Sequence, residues 1–204
     1  MLALDHLAVS AGTLDEGVAW VEMALGVKLS GGGKHAHMAT HNRLLGLGEL
    51  YLEVIATDPE APRPTGPRWF DLDRFQGPPR LTHWICRTDD LDAALKTAPD
   101  GAGRPVDLSR GDYRWRFAAT EGGRLPFDDS FPALIQWQGD LHPAKALPDA
   151  GVRLVRLEIT HPQVAALQGS LAGQLADPRI GFHLGPHKSL RATFATPQGL
   201  RVLT

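Results

Sequence analysis

The chain has 204 residues, of which 43% are hydrophobic and 22% are charged, values that are ordinary for a soluble globular protein. A formal net charge of −2 offers no basic surface for phosphates, and no apolar run approaches the roughly 20 residues of a membrane span. The single cysteine, Cys86, excludes a disulfide framework, and the N-terminus lacks the basic start of a signal peptide. We therefore expect a cytoplasmic protein with neither nucleic acid nor a membrane as partner.

Residues 2–58 have the pattern of a β-α-β-β-β unit. The first strand, over residues 4–9, contains His6 among apolar side chains. Thr13 and Glu16 have the spacing of a capping box at the start of the helix. The helix ends at a glycine, and three further strands are predicted over 27–29, 40–47 and 50–56.

Residues 80–140 repeat this order, with His83 in the place of His6. Thr88 and Asp89 are predicted to cap the helix that follows the first strand. The later strands are predicted over 104–108, 113–120 and 133–138. The separation from His6 to Glu53 is 47 residues and that from His83 to Gln136 is 53, which indicates a duplicated module.

A third, related unit is predicted over residues 151–204. It begins with a strand over 154–159, and Thr160 and Gln163 have capping-box spacing before its helix. Arg156 stands in the position of the repeated histidine. The first two units form residues 1–140, joined by a proline-rich linker over 59–79, whose segment 68–70 is apolar enough to pack on the domain. We expect the third unit to pack on that same domain.

The chain resembles the vicinal oxygen chelate superfamily, and within it the bacterial glyoxalase-like domain proteins. The segments that carry the resemblance are residues 4–7, 32–45, 51–56 and 81–84. The resemblance implies an α+β fold in which paired βαβββ modules form a cupped mixed sheet. It also implies that metal ligands come from the first and last strands of each unit. At those positions this sequence has His6, Glu53, His83 and Gln136.

Two histidines and a carboxylate suit a divalent metal, namely Fe, Zn, Ni or Mn, with coordination positions left for substrate oxygens. Glu53 is the only carboxylate of the four and is therefore the candidate catalytic residue. Gln136 stands where glyoxalase I-like enzymes carry a glutamate, and an amide cannot act as a base. The alternative for the two histidines is a half-buried pair bonded to backbone carbonyls. The alternative for Glu53 is a salt-bridged strand carboxylate.

Other polar and aromatic residues are candidates for contact with the substrate. The cluster His35, His37 and His41 follows three glycines, and we interpret it as a hairpin with solvent-facing histidines rather than a metal site. Arg114 and Arg116 share a strand face that is either solvated or an anion clamp. The predicted substrate-binding residues are Thr40, Asn42, Trp84, Arg116 and Trp137.

These expectations favour a glyoxalase-like enzyme of the isomerase, lyase or dioxygenase type that acts on an oxygen-bearing substrate in the cup. The alternative is a non-catalytic protein of the bleomycin-resistance type that sequesters a ligand. A homodimer is compatible with the resemblance, although the paired units of one chain can complete the cup alone.

Overall fold

A computed structural model describes all of residues 1–204 as twelve strands and five short or medium helices in two sheets. The strands are β1 (Ala3–Ser10), β2 (Ser30–His35), β3 (Thr40–Gly46), β4 (Tyr51–Thr57), β5 (Arg80–Arg87), β6 (Arg104–Arg110), β7 (Tyr113–Ala119), β8 (Ala133–Gln138), β9 (Arg153–His161), β10 (Ile180–Leu184), β11 (Ser189–Thr196) and β12 (Gly199–Leu203). The helical segments are α1 (Leu14–Leu25), α2 (Leu91–Thr97), α3 (Pro126–Asp129), α4 (Pro143–Ala146) and α5 (Val164–Leu171). No helix is both long and apolar enough to cross a membrane.

The first two units form one eight-stranded sheet with the order β2-β3-β4-β1-β5-β8-β7-β6. Each half therefore has the same strand order outward from the central pair. The halves meet where β1 pairs with β5 in antiparallel fashion. In that pairing His6 lies opposite Ile85 and His83 lies opposite Ala8, which is the reciprocal relation of a pseudo-two-fold axis. The predicted cupped α+β sheet of paired βαβββ modules is confirmed.

The third unit has the predicted β-α-β-β-β element order but pairs its strands differently. Its separate four-stranded sheet has the order β10-β9-β11-β12, so its first strand lies inside the sheet. The predicted capping box at Thr160 does not form. Strand β9 continues to His161, and the helix follows Gln163, whose side chain makes no capping hydrogen bond.

The two faces of the large sheet bury different sets of side chains. The convex face, with α1 and the small sheet, forms the main apolar core around Leu7, Leu52 and Trp84. The concave face forms a second cluster, and the linker contributes Trp69 and Phe70 to it. The linker thus packs into the cup, as its apolar segment predicts.

Local signals explain several element boundaries. Thr13 Oγ accepts a hydrogen bond from the Glu16 N–H at 3.3 Å, so α1 begins at the predicted cap. The cap of α2 is Asp90, whose carboxylate accepts from the Ala93 N–H, and not the Thr88–Asp89 pair. Strand β2 starts at Ser30, immediately after the strand predicted over 27–29, because the segment that contains the glycine run pairs with β3.

Candidate functional site

The cup contains one polar cluster surrounded by aromatic rings. Alternation along the strands directs Asn42, Glu53 and His6 to the concave face, next to one another on β3, β4 and β1. The cavity is lined by His6, His35, Asn42, Leu44, Tyr51, Glu53, Trp69, Phe70, Arg110, Tyr113, Trp115, Phe117, Ile135, Trp137 and Pro143. The free volume of this cavity is about 40 Å³.

His6 is held in one orientation by its sequence neighbour. Asp5 occupies a bulge of β1, and its carboxylate, with no exposed surface, lies 2.6 Å from His6 Nδ1. Because a carboxylate only accepts, Nδ1 carries a proton and donates it to Asp5, and the ring directs Nε2 toward Glu53. That Nε2 lies 3.7 Å from Glu53 Oε2, and the Tyr51 ring stacks on the imidazole with centroids 4.2 Å apart.

Asp5 also binds two other side chains of the rim. Its second oxygen accepts from His142 Nε2 at 2.9 Å and from Trp137 Nε1 at 3.1 Å. Burial alone would raise the pKa of the Asp5 carboxyl, but the hydrogen bonds from His142 and His6 hold it well below its usual range. Asp5 is therefore an anion at neutral pH and ties β1, β8 and the segment before α4 together.

The side-chain amide of Asn42 connects the Glu53 carboxylate to the Arg110 guanidinium by hydrogen bonds. Its Oε1 accepts from Asn42 Nδ2 at 2.5 Å, and Asn42 Oδ1 accepts from Arg110 at 3.2 Å. The same Oδ1 accepts from the Gly33 N–H at 2.8 Å. The neighbouring Gly32 has φ +97°, and a Cβ there would lie 2.2 Å from the Asn42 backbone oxygen. The glycine run thus permits β2 to approach the site closely.

His35 is a site residue that the sequence interpretation placed in solvent. It is buried, its Nδ1 lies 3.1 Å from Thr40 Oγ1, and its Nε2 accepts from Arg110 at 3.1 Å. Burial, and then the charge of Arg110, lower the pKa of His35 to about 3, so the ring is neutral. Trp69 covers it edge-on at 5.1 Å. The predicted solvent-facing hairpin is therefore wrong for this histidine.

The structure separates His83 from the other predicted metal ligands. Phe70 packs on its ring at 4.8 Å, and its Nε2 lies 3.5 Å from Asp129 Oδ1 without hydrogen-bond geometry. Burial lowers the pKa of His83, and the Asp129 carboxylate partly offsets this. His83 is thus on the concave face but does not line the cavity around His6.

Gln136 and Arg116 lie on the opposite face of the sheet from the cup. Gln136 accepts from the Leu91 N–H at the start of α2 and donates to the Asp89 carbonyl. Arg116 pairs with Asp92 at 2.6 Å. Since successive strand residues alternate in direction, it is Trp137, next to Gln136, that enters the cavity.

Of the other predicted substrate-binding residues, some lie at the cup and one does not. Asn42 and Trp137 line the cavity, and Thr40 supports it through His35. Trp84 is fully buried in the main core, where its Nε1 donates to the Ser130 carbonyl, so the structure does not place it at the cup. The sequence interpretation missed Asp5, His35, Arg110 and His142.

The donor set of the cup does not fit a three-ligand metal centre. His6 and Glu53 are adjacent, but no group of three His, Cys, Asp or Glu side chains in the chain is arranged to hold an ion. A catalytic metal in a protein generally needs three such ligands. The two additional positions that the resemblance implies are directed elsewhere, His83 toward Asp129 and Gln136 toward α2.

The pair of βαβββ modules around one polar cluster is the architecture of the vicinal oxygen chelate superfamily. Within that class, residues 4–175 match the family described as Glyoxalase-like domain, and the chain belongs to it. No curated protein matches the chain.

Three solved structures are similar to this chain at low sequence identity. A hypothetical protein from Staphylococcus aureus is 13% identical, with 93% of this chain and 88% of that chain covered and a TM-score of 0.60. Methylmalonyl-CoA epimerase from Mycobacterium tuberculosis is 19% identical, with 68% and 88% covered and a TM-score of 0.45. The Streptomyces coelicolor methylmalonyl-CoA epimerase in complex with 2-nitronate-propionyl-CoA is 15% identical, with 69% and 96% covered and a TM-score of 0.45.

Proposed function

We propose that this protein is a small-molecule enzyme of the isomerase or lyase type that moves a proton on a carbonyl-bearing substrate in the cup. The observation that carries the proposal is the contact of the buried Glu53 carboxylate with His6 Nε2 at 3.7 Å, next to the cavity. A carboxylate and an imidazole at this distance can take up and return a proton on one substrate face.

Each neighbouring residue has a defined part in this proposal. Glu53 removes the proton from the carbon next to the carbonyl, and the C–H electron pair moves onto the carbonyl oxygen to give an enolate. The proton then passes between Glu53 and His6 Nε2 and is returned to carbon as the carbonyl re-forms. Asp5 orients His6 and stabilises its protonated form, as a buried carboxylate does for a catalytic histidine. Asn42 orients the Glu53 carboxylate through its amide N–H. No step is assigned to a metal, because the donor set supplies two ligands.

The test is solvent-hydrogen exchange in D₂O. Purified protein is incubated with pyruvate, 2-oxobutyrate, acetoacetate and levulinate, and loss of the C–H signals is followed by proton NMR against a buffer control. We expect exchange of at least one compound above the buffer rate, reduced about 100-fold or more in Glu53→Gln. Equal exchange by the wild type and Glu53→Gln would contradict the assigned role.

A second candidate function, ligand sequestration without catalysis, is favoured by the aromatic character of the wall. Trp115 and Trp137 pack at 5.6 Å, and Trp69 and Phe117 at 5.2 Å, around the same cavity. Such rings hold a flat apolar ligand without any proton transfer. Tight binding of a compound that is recovered unchanged and unexchanged, equally in wild type and Glu53→Gln, would favour sequestration.

A further inference from the structure

Arg110 is a cation at the cup that has no anionic partner in the protein. It ends β6, lines the cavity and is half-buried, yet no carboxylate lies within 4.0 Å of it. One of its nitrogens, Nη1, contacts His35 Nε2 and Asn42 Oδ1, both neutral. An arginine fork that keeps free donors beside a cavity is suited to a carboxylate.

Trp69 supplies a second unpaired donor around the same imidazole. Its side chain is about nine-tenths buried with 8% exposed, and its indole N–H has no hydrogen-bond partner. Its ring lines the cavity and meets the His35 ring edge-on, while Arg110 binds the Nε2 of that same ring. A buried donor without a partner is costly unless a ligand or water satisfies it.

The rest of this wall is aromatic. Trp115 lies 6.3 Å from His35 and 5.6 Å from Trp137, and Tyr113 meets Trp137 at 6.3 Å. These inclined rings present faces and edges on which an aromatic ligand can pack.

We infer that the ligand is an aromatic carboxylate whose carboxylate binds Arg110 and the Trp69 indole N–H, with its ring packed against the aromatic side chains of the wall. This assignment of the substrate class rests on the proposed function for the location of the reacting atoms. Asn42 joins Arg110 to Glu53, so an anchored carboxylate leaves the neighbouring part of the molecule at the Glu53 carboxylate.

The experiment measures the binding of 2-naphthoate by calorimetry. The same ring without charge, 2-naphthalenemethanol, and the same charge without an aromatic ring, cyclohexanecarboxylate, are the comparison ligands. We expect saturable millimolar or tighter binding of 2-naphthoate alone, weakened about 10-fold or more in Arg110→Gln. The matched control is Arg104→Gln, at the exposed opposite end of β6, which should bind like the wild type.

A nitrogen-15 indole spectrum tests the second contact. The chain has five tryptophans, and Trp69→Phe identifies the Trp69 resonance by its loss. On saturation with 2-naphthoate this resonance should move more than that of Trp20, which lies on α1 away from the cup. Trp69→Phe keeps an aromatic ring and should bind about 5-fold more weakly.

Several results would overturn the inference: no saturable binding of 2-naphthoate, equal binding of 2-naphthalenemethanol, equal losses in Arg104→Gln and Arg110→Gln, or an unmoved Trp69 resonance. Glu53→Gln should still bind 2-naphthoate, because the carboxylate anchor lies at Arg110. Binding in this variant together with absent exchange activity in the wild type would reject proton transfer and leave the ligand class standing. Exchange activity in the wild type without 2-naphthoate binding would reject the ligand class and leave proton transfer standing.

Discussion

Acidification should destabilise the fold through His35, because this buried histidine is neutral in the native protein. Its pKa is about 3 when folded, against 6.5 for an ordinary histidine. Below pH 6.5 the unfolded chain therefore binds a proton that the folded chain does not. The stability associated with His35 is complete above about pH 6.5 and falls progressively as the pH drops toward 3.

The size of the effect follows from the two pKa values. At pH 5 the unfolded histidine is almost fully protonated and the folded one almost fully neutral. The free energy of unfolding should then be about 2 kcal/mol lower than at pH 8 from this residue alone. His83, whose pKa is also lowered by burial, adds a change of the same sign. Between pH 8 and pH 5, the free energy of unfolding of the whole protein should therefore fall by more than the His35 contribution.

Urea denaturation at pH 8 and pH 5, followed by tryptophan fluorescence, isolates the His35 contribution. The variant His35→Gln keeps a polar side chain but cannot titrate, so its stability should change by about 2 kcal/mol less between the two pH values than that of the wild type. His37→Gln, at an exposed position two residues on, is the control and should keep the wild-type pH dependence. An identical pH dependence in wild type and His35→Gln would refute the burial of a neutral imidazole.

Two further substitutions test the placement of side chains on either face of the sheet. Asp5→Asn keeps the side-chain shape but replaces an acceptor oxygen with an N–H₂ group that faces the donors of His142 and Trp137. The free energy of unfolding, measured by urea titration, should fall by about 3 kcal/mol. A loss below about 1 kcal/mol would contradict this placement of Asp5. Gln136→Glu places a carboxylate at the start of α2 near Leu91 and not in the cup, so zinc content after incubation and desalting, measured by mass spectrometry, should equal that of the wild type. An additional equivalent of zinc in this variant would show that the side chain reaches the cavity.

The sequence alone is sufficient to predict the two βαβββ modules and half of the site residues. His6 and Glu53 stand on the first and last strands of the first unit, and the structure brings them within 3.7 Å of each other. Alternation predicts which face a residue takes only if the register is right to one residue. Glu53 lies beside Ala8, whereas Ala133 lies beside the equivalent residue Ile85, so the assignment of Gln136 was off by three residues. An odd offset directs the side chain to the other face, and the neighbouring Trp137 lines the cup instead.

No pattern in the sequence around His35 predicts that this residue is buried. It follows glycines and stands beside polar residues, which is the pattern of an exposed hairpin. Its burial depends on Trp69, which lies in the proline-rich linker 34 positions later and folds back over it. Arg110 was missed for a similar reason: its contacts with His35 and Asn42 span 75 and 68 residues, respectively. Only the curvature of the sheet brings this end of the edge strand β6 to β2 and β3.

The two halves of the cup have diverged in chemistry while keeping one strand order. The first unit contributes the polar centre, with His6, Glu53 and His35. In the second unit the equivalent histidine, His83, is covered by Phe70, and the last strand presents apolar side chains to the cavity. A ligand that lies across the β1–β5 junction therefore meets titratable groups on one side and aromatic rings on the other. Under the proposed function, such an asymmetric cup favours one orientation of a molecule with an oxygen-bearing end and an aromatic body, which a symmetric pair of modules would not do.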